Sequence, residues 1–418
     1  MRIKEINIQN FKGIINNTYP FNPKFTVLIG DNGTGKSSIL DAISIALGTV
    51  LMRTQASFGI NGRKTRPLLK DEIRKKMVSP ENIELTDVEL SGQFIHQGKE
   101  IDWERSQPKT SKGLSYRNAK KLIHIGKEFV EKIEIKTNLP LIAYHSTARL
   151  AGEIHGGKTA YEKIGSRLDG YYACLDPRSI RQKFMSWFKT FEDSALKFNK
   201  DKTLYYAFTN ALVSIVPEWQ EVRFHWGLDD MVGKQKDGTW LPLSDLSDGY
   251  RSTIRLAADI AYRAIKLNPH LGINAVKETE GIVLIDEIDM HLHPKWQQRI
   301  VSDLKKTFPK LQFIVTTHSP FIVQSLKADE VLNLDENKID EHPDTMSLEQ
   351  NAIFMGVETK NSVLFNKKEK TAIEYLKILN QDSTKDGLEK LDELIETSTD
   401  PVFKAKLQLE RLAKFGKK

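Results

Sequence analysis

The sequence predicts an α/β fold: a core sheet with parallel strands and flanking helices, an antiparallel β subdomain, an inserted helical lobe and a helical C-terminal extension. Compact apolar runs typical of buried strands alternate with helical runs, which indicates a parallel sheet. A helical stretch rich in aromatic residues, 158–216, interrupts this alternation, and we expect its aromatic side chains to be core. The sequence therefore predicts four parts of the chain: α/β lobes at 1–150 and 241–340, a helical lobe at 151–240 and a helical extension at 341–418.

The predicted strands share short apolar or alternating patterns bounded by glycine or polar residues. In chain order they are Ile3–Ile8, Phe25–Ile29, an antiparallel pair within Ile83–Trp103 that turns near Gln97 and Gly98, Leu139–Tyr144, a hairpin around Asp237 and Gly238, Gly281–Ile285, Gln312–Thr317 and Glu330–Leu334. A helix is predicted from Lys36 to about Leu47, closed by Gly48. Another helix is predicted after Ser247 and Asp248, which are good N-caps.

Composition narrows the function classes. The chain has 418 residues, of which 39% are hydrophobic and 28% charged, so it is long enough for two or three domains with a sizeable core. It shows no apolar run near the roughly 20 residues that cross a bilayer and no apolar region typical of a signal peptide. Its single cysteine, Cys174, excludes an internal disulfide. We therefore expect a cytoplasmic protein without a membrane partner.

The charge distribution favours an acidic partner. The net charge is +7, and six Lys or Arg residues with no acidic residue lie between Arg105 and His124. Proline, glycine and serine residues between them indicate a flexible loop. Two interpretations stay open for this segment: a solvated linker, or a surface that contacts the phosphate backbone of DNA.

The strongest motif is GDNGTGKSS, which fits G-x-x-x-x-G-K-[ST] and stands between a predicted strand and a predicted helix. Its glycines let successive backbone N–H groups point inward at phosphates, and the helix dipole adds to that attraction. Lys36 is expected to reach the β and γ phosphates, and the Ser37 hydroxyl to ligate Mg²⁺. The predicted nucleotide-binding residues are Gly30, Asp31, Asn32, Gly33, Thr34, Gly35, Lys36, Ser37 and Ser38.

Paired carboxylates follow the apolar run Ile282–Ile285, where a buried strand would deliver them to the carboxyl edge of the sheet. We expect Asp286 to hold Mg²⁺ through water, and Glu287 to polarise the water that attacks the γ-phosphate. His318, just beyond another predicted strand, is a candidate γ-phosphate sensor that orients this water. The predicted catalytic residues are Glu287, His318 and Lys36, and the predicted metal ligands are Ser37 and Asp286.

The stretch LSDLSDGYRST, Leu243 to Thr253, allows two interpretations. In the first it is a polar turn followed by the start of a helix. In the second, Leu246 to Gly249 form an LSxG element that offers the N-terminus of the helix to a phosphate. Four residues do not decide between them, so the choice depends on the other motifs.

In this order, GDNGTGKSS, LSDG, VLIDEID and TTHSP resemble the ATP-binding-cassette (ABC) type of ATPase, in the branch that includes RecF, SMC proteins and OLD-like ATPases. NFKGI (Asn10–Ile14) and HLHP (His291–Pro294) are most similar to the OLD side of this branch. The resemblance covers roughly the first 340 residues. It implies an ABC-type head with a mixed core sheet that uses ATP and Mg²⁺. It also implies homodimers or higher homo-oligomers, in which Ser247 and Gly249 contact the γ-phosphate held by the partner subunit.

The sequence departs from the ABC pattern in two places. The glutamine loop has no clear counterpart, and His145, Ser146 and Arg149 are candidates for its position. His293 stands where the D-loop aspartate would fall, and it forms with His291 an HxH pair for which no third metal ligand is evident. These departures leave open the rate of hydrolysis and its coupling to dimerisation.

Missing segments narrow the role further. No sustained heptad run separates the phosphate loop from LSDG, which excludes an SMC protein, and the tail after about Asp340 lacks the DxD cluster of an OLD nuclease. The charged amphipathic segments 367–379 and 386–396 instead favour packing on a partner. In size and in its nuclease-free tail the chain resembles the ATPase subunit of Septu-type antiphage defence systems. That resemblance implies a separately encoded HNH nuclease as partner.

Three alternatives stay open. A RecF-like DNA repair ATPase would share all the motifs and need no nuclease. A transporter's nucleotide-binding subunit would need a membrane partner, and the NFKGI and HLHP elements argue against it. An ATP-gated scaffold that turns over slowly is compatible with the missing glutamine loop, and steady-state hydrolysis distinguishes it from an enzyme.

Overall fold

The computed structural model divides the chain into two compact units, Met1–Gly356 and Val357–Lys418. The described residues are 1–57, 66, 68–79, 82–109, 113–131, 133, 136–147, 166–175, 181–196, 201–335, 343–356, 370–373, 385–397 and 401–415. The four-part division predicted from the sequence is finer than these two units and stays a prediction.

Strands alternate with helices in parts of the first unit and follow one another directly in other parts. The strands of the described residues are β1 Arg2–Phe11, β2 Ile14–Pro20, β3 Phe25–Ile29, β4 Lys75–Ser79, β5 Asn82–Leu85, β6 Val88–His96, β7 Lys99–Gln107, β8 Leu141–His145, β9 Trp219–His225, β10 Asp230–Gln235, β11 Trp240–Pro242, β12 Gly281–Ile285, β13 Leu311–Thr316 and β14 Val331–Asn333. The α-helices of the described residues are α1 Lys36–Val50, α2 Lys120–Glu131, α3 Arg181–Leu196, α4 Thr203–Ile215, α5 Asp248–Leu267, α6 Ala275–Glu278, α7 Pro294–Gln297, α8 Ile300–Thr307, α9 Pro320–Val323, α10 Leu348–Phe354, α11 Lys385–Thr397 and α12 Pro401–Phe415.

A five-stranded parallel sheet of order β14-β3-β13-β12-β8 forms the core of the first unit. Every residue of β3, β12 and β13 is buried, as expected for parallel strands covered on both faces. The predicted α/β class is therefore confirmed. Because all these strands run in one direction, their carboxyl ends meet at one edge of the sheet.

A four-stranded antiparallel sheet, β2-β1-β6-β7, forms the predicted β subdomain. The predicted turn between β6 and β7 is confirmed at Gln97 and Gly98, which have positive φ angles of 51° and 76°. β1 pairs with β6 as well as with β2, a long-range pairing that alternation along the chain does not reveal. Smaller sheets are formed by β4 with β5 and by β11-β10-β9, and the latter contains the predicted turn at Gly238.

The predicted end of α1 at Gly48 is wrong, because the helix continues to Val50. Gly48 is buried within the helix, and a Cβ at this position would lie 3.0 Å from the backbone nitrogen of Arg66. The glycine therefore permits close packing of another segment and does not terminate the helix.

The predicted flexible loop from Arg105 to His124 is wrong at both ends, which lie in β7 and α2. Arg105 is only 4% exposed. Its guanidinium donates to the Thr49 hydroxyl at 2.9 Å and lies 3.9 Å from the centroid of the Tyr116 ring. Arg105 is therefore a structural residue, and residues 110–112 of the segment lie outside the described part.

The aromatic residues of the predicted helical lobe mostly pack together as core. The Trp187 ring lies 4.7 Å from that of Phe191 and 5.1 Å from that of Phe208 in α4. Tyr206 is an exception at 47% exposed, and Tyr161 lies outside the described residues. Cys174 is likewise buried as a free thiol, and burial raises its pKa to about 12.

One helical stretch among the described residues, Lys36–Thr54, is long and apolar enough to cross a bilayer by length and composition. The protein buries 72% of its most apolar window. Packing against the core sheet accounts for its apolar character.

The second unit contains α11 and α12, whose buried apolar side chains are Leu391, Ile395, Phe403 and Leu407. The guanidinium of Arg411 donates to the carboxylate of Asp392 at 2.9 Å. The predicted amphipathic helix at 386–396 is confirmed as part of α11. Most of the other predicted segment, 367–379, lies outside the described residues.

Gln312 in β13 joins the two main sheets. Its side chain is 1% exposed, and Oε1 accepts a hydrogen bond from the Ile3 backbone nitrogen at 2.7 Å. Nε2 donates to the carbonyls of Ile3 at 2.8 Å and Asn22 at 3.0 Å. Because Ile3 belongs to β1, this amide satisfies backbone groups where the parallel and antiparallel sheets meet.

We expect Gln312→Ala to lower the free energy of unfolding by about 3 kcal/mol, because it leaves backbone groups unsatisfied and opens a cavity. Urea unfolding followed by tryptophan fluorescence measures this, since all six tryptophans lie in the first unit. Gln9→Ala, on an exposed position of β1, is the matched control and should change stability by less than about 0.5 kcal/mol. Equal midpoints for Gln312→Ala and the unchanged protein would contradict the role of this amide.

Candidate nucleotide site

The phosphate loop, residues 30–35, connects the buried strand β3 to helix α1. Gly30, Gly33 and Gly35 have positive φ angles of 143°, 89° and 100°, which residues with a Cβ rarely adopt. Residues 31–33 are exposed at the rim, and Gly35 is the N-cap of α1. The loop therefore presents backbone at the N-terminus of a helix, the geometry that suits an anion.

The inner side of the loop is closed by hydrogen bonds to two carbonyls. The Thr34 hydroxyl donates to the Asp31 carbonyl at 2.9 Å, and Lys36 Nζ donates to the carbonyls of Gly30 at 2.6 Å and Asp31 at 2.8 Å. Burial lowers the pKa of the Lys36 ammonium below its ordinary value. Nearby carboxylates act against that shift, namely Asp335, Asp31, Asp286 and Glu287.

The predicted metal ligands lie side by side. The Ser37 hydroxyl donates to Asp286 Oδ1 at 3.0 Å, although the two residues are 249 positions apart in the chain. Asp286 follows β12 and is 5% exposed, and the Thr316 hydroxyl donates to the same oxygen at 2.7 Å. Ser38, the next residue of α1, is half-buried. The fold therefore brings the phosphate loop and the acidic pair together.

Glu287 is held by a hydrogen bond and a rare backbone conformation. Its φ of 50° lies in the left-handed region, which costs a non-glycine residue on the order of 1 kcal/mol. Its backbone nitrogen donates to the Thr316 hydroxyl at 2.7 Å. Thr316 therefore positions both acids, a role that sequence reasoning missed. The available signal was the threonine pair at the carboxyl end of the predicted strand Gln312–Thr317.

His318 is exposed just beyond β13, beside the acidic pair in the sheet order. Asp289 fixes this segment: its Oδ1 accepts from the Thr317 hydroxyl at 2.6 Å and from the His318 backbone nitrogen at 3.3 Å. Sequence reasoning missed Asp289, and its signal was a further carboxylate two residues after Glu287. The loops that follow β12 and β13 are thus connected by a side chain.

The LSDG element begins helix α5, with Ser247 at the predicted N-cap position. Ser247 is exposed, and within the described residues its hydroxyl makes no capping hydrogen bond to its own helix. Gly249 is buried, and a Cβ there would lie 2.2 Å from the carbonyl oxygen of His291. Between the described residues, no hydrogen bond or ion pair joins Ser247 or Gly249 to the phosphate loop.

The NFKGI segment forms the turn between β1 and β2 and packs beside the phosphate loop. Asn10 and Lys12 have positive φ angles of 54° and 50°. Lys12 forms an ion pair with Asp41 of α1, and the Ile14 side chain lies 3.1 Å from the position of a Cβ on Gly35. This hairpin therefore supports the start of α1.

Two of the three candidates for the glutamine-loop position are described. His145 ends β8, and its carbonyl accepts from the Asp286 backbone nitrogen at 2.8 Å. Its Nε2 lies 3.4 Å from Asp259 of α5. Ser146 is buried, and Arg149 lies outside the described residues. His145 thus lies between the acidic pair and α5.

The structure therefore brings most predicted site residues to the carboxyl edge of the parallel sheet, where the phosphate loop meets Asp286 and Glu287. His318 lies at the same edge, while Gly249 packs against the loop around His291 and Ser247 is exposed. The HxH pair is used in part for structure, because His293 Nδ1 accepts from the Lys295 nitrogen at 3.3 Å and caps α7. The catalytic, nucleotide and metal roles stay predictions.

The chain is similar to a known protein family and to several curated proteins. Residues 25–324 match the family model described as "AAA domain, putative AbiEii toxin, Type IV TA system", which spans well over half of the chain. Among curated relatives, "Retron Ec83 probable ATPase" of Escherichia coli is 28% identical over 79% of this chain and 71% of that protein. "Retron Vc95 probable ATPase" of Vibrio cholerae serotype O1 biovar El Tor is 25% identical over 80% of this chain and 74% of that protein.

A third relative is the Septu protein PtuA of Bacillus mycoides strain KBAB4, which is 30% identical over 80% of this chain and 41% of that protein. The matched region of the family model begins with β3 and ends after His318, so it contains the phosphate loop, LSDG and the acidic pair. The chain therefore belongs to this AAA domain family, and it is an ATPase of the ABC type that resembles PtuA.

Proposed function

We propose that this chain binds ATP with Mg²⁺ at the phosphate loop and hydrolyses it within homodimers or larger homo-oligomers. We further propose that the nucleotide state of this assembly regulates a separately encoded HNH nuclease in cytoplasmic antiphage defence. The observation that carries the enzymatic part is the contact of Ser37 with Asp286 at 3.0 Å, beside the lysine of the phosphate loop. This contact supports the proposal, because it brings a hydroxyl and a carboxylate together next to the loop whose lysine would bind a triphosphate.

The residues present fit a Mg²⁺ ion. A serine hydroxyl and a carboxylate are the hard oxygen ligands that this ion prefers, and Ser37 and Asp286 would hold it. The charges also favour it, because four carboxylates act on the Lys36 ammonium and would repel a free triphosphate. When bound, Mg²⁺ would neutralise charge on the β and γ phosphate oxygens.

Glu287 would act as the general base of hydrolysis. The oxygen of water bonds to the γ-phosphorus while the bond to the β–γ bridging oxygen breaks, and the proton passes to the Glu287 carboxylate. The fixed backbone of Glu287, held by Thr316, would aim this carboxylate. His318, held through Asp289, would orient the water, and Lys36 would bind the phosphates.

The exposed start of α5 supports the oligomer. Among the described residues, Ser247 makes no hydrogen bond to the phosphate loop of the same chain, and its hydroxyl does not cap α5. A helix N-terminus with free N–H groups attracts phosphate. Ser247 and Gly249 would therefore contact the γ-phosphate held by a second copy of the chain.

The defence role is supported by the relatives, which include a Septu protein and two retron ATPases. Exposed Leu409 and Leu412, three residues apart on α12, supply an apolar stripe for the nuclease. Exposed Lys109, Arg117 and Lys120 supply a surface for DNA phosphates. A RecF-like repair ATPase would share the site but would need no nuclease.

We expect Glu287→Gln to lower kcat for ATP by roughly 100-fold or more while ATP binding is retained, because the amide cannot accept the proton. Phosphate release and isothermal titration with ATP measure the two effects. Lys36→Ala should lose binding itself, and Glu100→Gln, on an exposed position of β7, should change neither quantity. Unchanged turnover in Glu287→Gln would remove this residue from the role of base.

Ser247→Arg should keep ATP binding but lose both ATP-dependent self-association and hydrolysis, because the bulky cation blocks the approach of a second copy. Analytical ultracentrifugation with ATP in the Glu287→Gln background measures the association. Ser302→Arg, an identical change at an exposed position of α8, is the matched control and should still associate. Full hydrolysis by Ser247→Arg would contradict the role of the LSDG element.

When the chain is co-expressed with its adjacent open reading frames, we expect an HNH nuclease to copurify with it. Leu409→Glu combined with Leu412→Glu should weaken this association roughly tenfold or more, because the interface with the nuclease would lose two leucines that it buries. Leu85→Glu, at an exposed leucine of β5, is the control. Purification without any nuclease would contradict the proposed partner and leave the ATPase activity unaffected.

A further inference from the structure

We propose that Asp335 is a positioning residue for nucleotide binding, which holds the start of the phosphate loop by accepting a hydrogen bond from the Asp31 backbone nitrogen. This inference rests on the proposed binding of ATP at the loop. Asp335 belongs to none of the motifs that predict the site, and 304 residues separate it from Asp31.

The strand order places Asp335 beside the loop. β14 pairs in parallel with β3, with Asn333 opposite Ile29, and the Leu334 nitrogen donates to the Ile29 carbonyl at 3.0 Å. Because both strands run in the same direction, the residues after β14 follow the residues after β3 around the loop. Asp335 therefore arrives next to Gly30 and Asp31 as a consequence of the register.

The carboxylate contacts the loop through both oxygens. Oδ2 and Oδ1 of Asp335 lie 3.1 Å and 3.3 Å from the Asp31 nitrogen. The Asp335 backbone nitrogen donates to Asn333 Oδ1 at 3.0 Å, which fixes the turn that carries the carboxylate. A Cβ on Gly30 would lie 3.3 Å from each of these carboxylate oxygens, so the glycine also gives the carboxylate room.

Asp31 is enclosed from a second side by the end of the first unit. The Asn333 side chain donates to the Phe354 carbonyl at 3.5 Å. Gly356, two residues after Phe354, has a φ of 90°. A Cβ on Gly356 would lie 2.8 Å from Asp31 Oδ1. The rim of the loop is thus in contact with the last residue of the first unit.

Asp335 and Asp286 hold the loop at opposite ends. Asp286 follows β12, beyond β13 on one side of β3, and bonds to Ser37 in the first turn of α1, just after the loop. Asp335 follows β14 on the other side of β3 and bonds to the first exposed residue. The carboxylate also favours the charged form of the nearby Lys36. A loop fixed at both ends loses less conformational freedom when it binds phosphate.

The test compares Asp335→Ala with Asp335→Asn by isothermal titration with ATP and Mg²⁺ and by steady-state hydrolysis. Asp335→Ala removes the acceptor and should raise Kd and KM for ATP about tenfold, the loss typical of a hydrogen bond to a charged group. Its kcat at saturating ATP should stay within about twofold, because the groups proposed for chemistry follow β12 and β13. Asp335→Asn keeps an acceptor oxygen and should bind ATP within about threefold of the unchanged protein.

Asp329→Ala is the matched control, since Asp329 is exposed just before β14, at the opposite end of the strand. It should leave KM unchanged, and thermal unfolding should show that all variants are folded. An unchanged KM in Asp335→Ala, a fall in kcat without a rise in KM, or equal losses in the Asn and Ala variants would overturn the inference alone. If the unchanged protein fails to bind ATP, or Lys36→Ala binds ATP equally well, the proposed function falls and this inference falls with it.

Discussion

The hydrogen bond between Ser37 and Asp286 depends on the parallel register of the core sheet. Strands β3, β13 and β12 are adjacent; β13 ends at Thr316, and β3 and β12 are followed directly by Gly30 and Asp286 of the site. A shift of one residue in any of these strands would turn the terminal side chains to the opposite face. The buried apolar residues of the strands prevent such a shift, because both faces of these strands are closely packed and a shift would bring each side chain against neighbours of a different size. The geometry of the site is therefore a property of the hydrophobic core.

Thr316, at the end of β13, orients both acids that follow the neighbouring strand β12. Its hydroxyl donates to Asp286 and accepts from the backbone of Glu287, so a single oxygen on β13 orients two successive residues after β12. Asp289 then returns from the β12 loop to the residues after β13. These reciprocal bonds join the two loops, and they hold Glu287 in a backbone conformation that would otherwise relax.

The sequence predicts the parallel strands, the phosphate loop and the acidic pair because each depends on neighbours in the chain: apolar runs, glycines at fixed spacing and polar residues at strand ends. The structure differs where tertiary approach decides. A glycine such as Gly48 predicts a helix end, but here it lies within α1, where the Arg66 backbone approaches too closely for a side chain. Arg105 looks like part of a basic run, yet Thr49 and Tyr116 pair with it in the core. Asp335 carries no local signal, because its contact with Asp31 exists only once β14 has paired with β3.

The close packing of Gly249 against the His291 carbonyl leaves no room for a side chain between α5 and the loop after Glu287. The Tyr250 ring, 4.5 Å from that of Trp296, extends this contact along the first turn of the helix. Because no side chain lies between these two surfaces, none can rearrange when one surface moves. A displacement of the start of α5 would therefore also displace the loop that carries Glu287. A contact this close between α5 and the loop would transmit even a displacement of a fraction of an ångström.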